Sequence, residues 1–322
     1  MSIILTFLIF FLIICLCFYL FYFQFTCPEN FKLKDTELKT LVKEQENGPF
    51  RFPNSYICGT ARYSRNDFDA VFTNIEAMAN RMQDYRIVIF YDKSNDSTLD
   101  RLRKFKAKNP KLILMENKEP MLPFRTERLA HARNTCLAKV LELNEVLHWD
   151  YFIVMDLDDV CAKPIKLPVL DYAFQNKDRW DSISFNRKDY YDLWALSYAP
   201  FLLSFLHFKN VNTTSAKQKI TKDLAQLDKE DLLPVLSAFN GFAIYKINMF
   251  KNSTYKSKTI DNEIFFTKEQ IAANEKAVGG TYGRSQGAKV EGVQSDCEHR
   301  YFHLFAHYNN GARIMISSKK IF

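Results

Sequence analysis

Tyr151-Phe152-Ile153-Val154-Met155-Asp156-Leu157-Asp158-Asp159 is the stretch from which the rest of the chain can be read. Five apolar residues run straight into three carboxylates. An uninterrupted apolar run of this length reads as a strand buried on both faces. Strand alternation then places Asp156 and Asp158 on one side and Leu157 on the other. Like charges so close repel, so their clustering calls for a counter-charge. A hard divalent cation, Mn²⁺ or Mg²⁺, shared with phosphate oxygens meets that need. In open α/β sheets, ligands sit outside the carboxyl ends of the strands, which is where these aspartates fall. The bland alternative is a solvated turn whose aspartates cap a helix.

Around this stretch the pattern alternates. Residues 55–60 read as a first strand, and Phe68, Val71, Phe72, Ile75, Met78, Ala79 and Met82 recur at helical spacing. Residues 86–91 form a second apolar strand, 100–108 a basic surface helix and 111–115 a third strand. The next helix starts near Thr126 and keeps Leu129, Ala132, Cys136, Val140 and Leu143 on one face. Strands alternating with helices of this length indicate an α/β fold, a mostly parallel sheet with helices on both faces. Beyond residue 170 the pattern loosens. Residues 181–185, 239–245 and 313–317 are candidate strands, and five of the nine glycines crowd positions 279–292, a mobile loop by composition.

The first 28 residues carry no charge, and residues 3–23 are almost wholly apolar, long enough for a helix to cross a bilayer. A cleaved signal would show a basic start and a small-residue cleavage site. The expected organisation is therefore an anchor at 1–25, a stem at 26–53 and one domain at 54–322, with halves at 54–165 and 166–322. The lysines after the span favour a cytosolic domain by the positive-inside rule, whereas sequons at Asn95, Asn212 and Asn252 favour the lumen of the Golgi or endoplasmic reticulum, as in a type II protein. The net charge of +7 is mild and dispersed. It suits phosphate-bearing small molecules or an anionic membrane, not nucleic acid. Of seven cysteines two lie in the span, and the other five, odd in number and widely spaced, match neither a disulfide framework nor a zinc knuckle and read as buried thiols.

Three further segments offer chemistry. Tyr91-Asp92-Lys93-Ser94-Asn95-Asp96-Ser97-Thr98 follows the second strand, as a ligand-binding turn or as a helix cap. Arg125-Thr126-Glu127-Arg128 leads to Arg133-Asn134 among helix-core positions, where a guanidinium can grip a diphosphate or simply line a basic face. Late in the chain, Asp296-Cys297-Glu298-His299 is followed by His303 and His307, a four-residue spacing that lines one helix face. One reading brings this cluster to Asp156, with His303 or His299 completing a metal's ligands and Glu298 or Asp296 acting as base on an acceptor hydroxyl. A second has the spaced histidines and Cys297 hold a structural zinc, and a third leaves the histidines as a partly buried structural stripe.

Taken together these pieces resemble the nucleotide-sugar glycosyltransferases of the GT-A fold. Asp92-x-Ser94-x-Asp96-x-Thr98, Ala132-Arg133-Asn134 and Asp156-x-Asp158 match that group's turn, helix and metal motifs in order over residues 55–160. Within the group the chain is most similar to the fungal capsular mannosyltransferases of glycosyltransferase family 69 and related proteins of large DNA viruses, which share the late Cys297-Glu298-His299. The resemblance implies a Rossmann-like GT-A domain transferring a hexose, with mannose a candidate, from a nucleotide-diphosphate sugar to a glycan or glycoprotein. It places Asp92, Ser94, Arg62, Arg133 and Asn134 at the donor, and Asp156 and Asp158 at Mn²⁺ or Mg²⁺. The acidic pair usual in family-2 enzymes is not plain here. A dehydrogenase would need a Gly-x-Gly-x-x-Gly turn where Gly59 stands alone, and no P-loop occurs. A metal-dependent phosphohydrolase and a non-catalytic, membrane-anchored carbohydrate-binding protein stay open as alternatives.

Overall fold

The structure is a computed structural model that describes residues 50–63, 67–199, 201–204, 208–209, 213–228, 231–282, 289–290 and 293–322. The chain divides into two compact units, Met1–Phe50 and Arg51–Phe322, and all the helices and strands named below belong to the second. The expected span at 3–23 and most of the stem lie outside the described residues. Among those described, no helix is long and apolar enough to cross a membrane.

The alternation seen in the sequence is realised nearly element for element. Strand β1 (Ser55–Ala61) leads to α1 (Phe68–Ala79), β2 (Tyr85–Tyr91), α2 (Thr98–Lys108), β3 (Leu112–Glu116), α3 (Arg125–Leu147) and β4 (Tyr151–Met155). Then come α4 (Leu167–Gln175), β5 (Ser182–Asn186), α5 (Thr213–Gln226), β6 (Leu232–Val235), β7 (Phe242–Lys246), α6 (Lys268–Val278), α7 (Glu298–Asn310) and β8 (Ile314–Lys320). Eight strands form one sheet in the order β3-β2-β1-β4-β7-β5-β8-β6.

The first four strands are parallel, as the βαβ reading requires. The second half departs from that expectation. Strand β7 runs antiparallel to both β4 and β5, and β6 antiparallel to β8, while β5 and β8 are parallel. The sheet is therefore mixed. The strand expected at 239–245 also starts late, because Asn240 and Gly241 take φ of 54° and 82° and form a turn before β7.

Both faces are covered. Tyr56, Cys58, Val88, Phe90, Phe152 and Val154 point into a core shared with α3, through Ala132, Cys136 and Val140, and with α7, through Phe302 and Ala306. The alternate residues Ile57, Ile87, Ile89, Tyr151, Ile153 and Met155 pack against α1, α2 and α4. Cys58, Cys136, Cys161 and Cys297 are free, buried thiols, as composition suggested.

Candidate active site

Strand alternation continues past the end of β4. Leu157 turns into the core on the α1 side and is 2% exposed, contributing about 1.5–3 kcal/mol by burial. It lies directly over Gly59 of β1, where an added Cβ would approach Leu157 Cγ to 2.6 Å. Only glycine admits that contact. Leu157 thereby pins the acidic loop to the sheet, and Asp156 and Asp158 face the other side, towards α3 and α7.

A cavity of about 490 Å³ opens there, lined by Arg62, Asp92, Arg125, Arg128, Arg133, Asp156, Asp158, Tyr191, Asp192, Trp194, Phe239, Glu298 and His299 among others. Arg133 lies behind the aspartates and is 5% exposed. Its Nε donates to Glu298 Oε1 at 2.9 Å and its Nη2 to Asp156 Oδ1 at 3.1 Å. Burial alone would lower its pKa, but the charges of Glu298 and Asp156 outweigh that and hold it higher still. The guanidinium lies over the Phe239 ring, 4.8 Å from its centroid. Its Nη1 is buried without a hydrogen-bond partner.

Asp156 is fixed from three directions. Its N–H donates to the Gly241 carbonyl at 2.9 Å, and Tyr191 Oη donates to its Oδ2 at 3.0 Å. Gly241 is required there, because an added Cβ would meet Tyr191 Oη at 2.8 Å and Val160 closer still. Arg187 ties the same turn down by donating to the carbonyls of Asn240 and Val160. Asp158 accepts from Val160 N at 3.1 Å. Burial, then the charge of Asp156, push its pKa up to about 7. Asp156 has the Arg133 guanidinium, whereas burial and the neighbouring carboxylates leave Asp158 short of positive charge.

On the opposite wall Asp92 accepts from Lys93 N and from Asn117 Nδ2. Its Oδ2 has no hydrogen-bond partner and faces Arg62 and Arg128 at 3.9 and 3.7 Å. A second cavity of about 370 Å³ shares Asp92 and Arg128 and is floored by Phe90, Leu122 and His131.

The other expected site residues fall elsewhere. Ser94 donates to Asp96, which accepts from Thr98 N, so this pair shapes the start of α2 and does not line the cavity. Asn134 grips the backbone of Tyr255 through both its amide atoms and is likewise not in the cavity lining. Asp296 is 1% exposed and spends its oxygens on Asn262, Arg300 and Cys297 N. His303 shares hydrogen bonds with Ser237 Oγ at 2.9 Å and Tyr245 Oη at 3.1 Å, away from the aspartates. Burial pushes its pKa down to about 3, with Arg300 adding to the effect. The fully buried α7 face holds it as a neutral core group. His299 does reach the cavity wall, stacked on Phe239 at 3.8 Å.

The aromatic residues between positions 180 and 198 are split by the fold. Tyr191 and Trp194 line the cavity, whereas Trp180, Tyr190 and Tyr198 are core residues. Asp192, Phe239 and Asn240 carried no sequence signal, since they come from irregular segments brought together only by the sheet.

Neither a protein-family model nor a curated protein matches this sequence. Solved structures are similar at a distance. S. aureus TarS 1–349 is 13% identical over 83% of this chain and 59% of that one, with a TM-score of 0.39. The Pyrobaculum calidifontis mannosyltransferase PcManGT, solved with GDP-Man and Mn²⁺, is 12% identical over 68% and 54%, at 0.35. M. tuberculosis glucosyl-3-phosphoglycerate synthase is 10% identical over 66% and 62%, at 0.36. The chain thus spans less than two thirds of the length of each. Any assignment of chemistry rests on the residues of the cavity itself.

Proposed function

We propose that the chain is a metal-dependent glycosyltransferase moving a hexose, with mannose the first candidate, from a nucleoside-diphosphate sugar to a glycan or glycoprotein. The observation behind this reading is the Asp156–Asp158 pair, Asp156 held by Arg133, in a cavity that also carries Arg62, Arg125 and Arg128. Carboxylates and guanidiniums on one cavity suit a diphosphate bridged to a cation.

The residues fit such a cation. Asp156 and Asp158 line one cavity, and burial with the charge of Asp156 leaves Asp158 short of a counter-charge. Two carboxylates with the remaining positions left to phosphate and water is the arrangement expected of Mg²⁺ or Mn²⁺. When bound, the cation supplies charge neutralisation to the departing diphosphate. The chain's own residues do the rest. Arg133 and Tyr191 hold Asp156 in place, Arg62 and Arg128 flank the diphosphate path, and the second cavity beyond Asp92 takes the nucleoside. Tyr191 and Trp194 present aromatic surface to a sugar. The phosphohydrolase alternative is weaker, because His303 is committed to Ser237 and Tyr245.

The same reading takes residues 3–23 as a membrane anchor and places the catalytic unit in the Golgi or endoplasmic reticulum lumen. Asn95 and Asn252, two of the three sequons, are exposed. The family-69 resemblance belongs to this proposal as well.

The test is a thermal-shift screen of GDP-mannose, UDP-glucose and UDP-N-acetylglucosamine with and without Mn²⁺. A donor at about 100 times its Kd stabilises by about 2.7 kcal/mol, which is several degrees. At least one donor raises Tm, and Mn²⁺ enlarges the rise. No shift with any donor, metal present or absent, overturns the reading.

A further inference from the structure

Five acids line the main cavity, and four have partners that explain them. Asp92 faces Arg62 and Arg128, Glu298 is bound to Arg133, and Asp156 and Asp158 form the proposed cation pair. Asp192 is different. Its Oδ1 accepts from Ala195 N and its Oδ2 from Asn240 N, both at 3.2 Å. No ion pair reaches it among the described residues. Two backbone donors from separate segments hold the carboxylate rigidly without neutralising it.

Its place is also informative. The preceding residue, Tyr191, bonds Asp156, so Asp192 sits at the acidic end of the cavity and not at the nucleoside end. Trp194 lines the same wall two residues later. An anionic group beside two aromatic side chains is a place for a sugar hydroxyl, since the ring stacks while the carboxylate takes the hydrogen bond.

We propose that Asp192 is the catalytic base of this site, receiving the proton of the acceptor hydroxyl while Tyr191 and Trp194 support the acceptor ring. The proposal rests on the glycosyltransferase reading and moves the base away from Glu298 and Asp296, the two candidates the sequence offered. A carboxylate 2.9 Å from a buried guanidinium is a poor base, because protonating it forfeits the ion pair. Burial, opposed by the Ala195 N–H and reinforced by Asp156, pushes Asp192 up to about 6, which favours a base near neutrality.

The step balances. The acceptor O–H bond breaks and its proton passes to Asp192. The oxygen's electron pair forms the bond to the donor's anomeric carbon. The bond from that carbon to the diphosphate oxygen breaks, and its pair leaves on the nucleoside diphosphate. The negative charge lost by the carboxylate reappears on the leaving group.

Water serves as acceptor in the test. Nucleoside diphosphate released from GDP-mannose, UDP-glucose and UDP-N-acetylglucosamine is measured in Mn²⁺ for wild type, Asp192→Asn and Glu298→Gln, with donor Kd from titration calorimetry. Asp192→Asn lowers kcat by about 10²-fold or more with donor Kd within about threefold. Asp192→Ala recovers part of the loss in added sodium formate, which a structural role would not allow. Release by Asp192→Asn within about threefold of wild type overturns the proposal while leaving the glycosyltransferase reading standing. Absence of donor binding in wild type overturns both. If Asp192→Asn unfolds, Asp192→Glu replaces it. That variant keeps both acceptor oxygens but shifts the carboxylate by a methylene, so unchanged release refutes the base and a loss of tenfold or more at constant donor Kd supports it.

Discussion

Replacing Arg133 by Met tests whether the buried ion triad organises the site. Met fills much of the same volume without the charge. The substitution removes the 2.9 Å bond to Glu298 and the 3.1 Å bond to Asp156 together. Glu298, with its side chain 4% exposed, is left as a buried anion without a cation, and Asp156, 22% exposed, keeps only Tyr191 and its loop contacts. Removing one partner of a buried pair costs about 3–5 kcal/mol, and the greater burial of Glu298 puts most of that on the Glu298 side. The loss should change little in 0.5 M NaCl, since screening acts weakly on buried pairs. In the double variant Arg133→Met/Glu298→Met the orphaned charge is gone, so about 2 kcal/mol or more should return. Urea unfolding followed by the fluorescence of Trp149, Trp180 and Trp194 measures all three. A single variant within about 1 kcal/mol of wild type, or a double variant no more stable than the single, refutes the triad as an organising element.

Asp158→Asn should abolish metal-stimulated turnover yet raise the unfolding free energy at pH 8 by about 1–2 kcal/mol. The carboxylate whose pKa is pushed to about 7 is a liability once ionised, and Asn keeps the bond from Val160 N; metal-stimulated turnover near wild type sinks the assignment. Gly241→Ala should cost about 2–4 kcal/mol, from the positive φ and from overlap with Val160 and Tyr191, and should weaken donor binding through Asp156. Equal melting temperatures would contradict the tight turn. His303 is neutral when folded, with its pKa near 3, and about 6.5 when unfolded, so below pH 6.5 the unfolded state binds the extra proton. His303 should therefore cost up to about 1.4 kcal/mol of stability per pH unit from 6.5 towards 4, with His299, also held neutral by burial, adding in the same direction, and His303→Gln should reduce the slope without abolishing it. A chain beginning at Phe50 should be soluble and fold without residues 1–49, because the second compact unit starts at Arg51; aggregation relieved only by restoring the apolar segment would count against it.

Local sequence determined the first half of the fold. An apolar strand, an amphipathic helix and a polar turn each follow from neighbours within a few residues, so β1 to β4 and the three helices between them were legible to within two or three positions. The same locality placed Asp156 and Asp158 on one side with Leu157 on the other, because strand alternation is a property of the backbone itself. Long-range contacts decided the rest. Strand β7 enters the sheet antiparallel, which no local pattern encodes, and it carries the Asn240–Gly241 turn to Asp156. Arg133 and Glu298 lie 165 residues apart, and only packing of α3 and α7 on one sheet face makes them a pair. The four-residue histidine spacing correctly indicated a helix face, but it could not say whether that face met the cavity or the core. Burial beside Ser237 and Tyr245 settled that for His303. Asp192 had no motif at all. What sets it apart is the combination of two backbone donors, an aromatic wall and, among the described residues, the absence of an ion pair, and those come from segments that meet only in the folded chain.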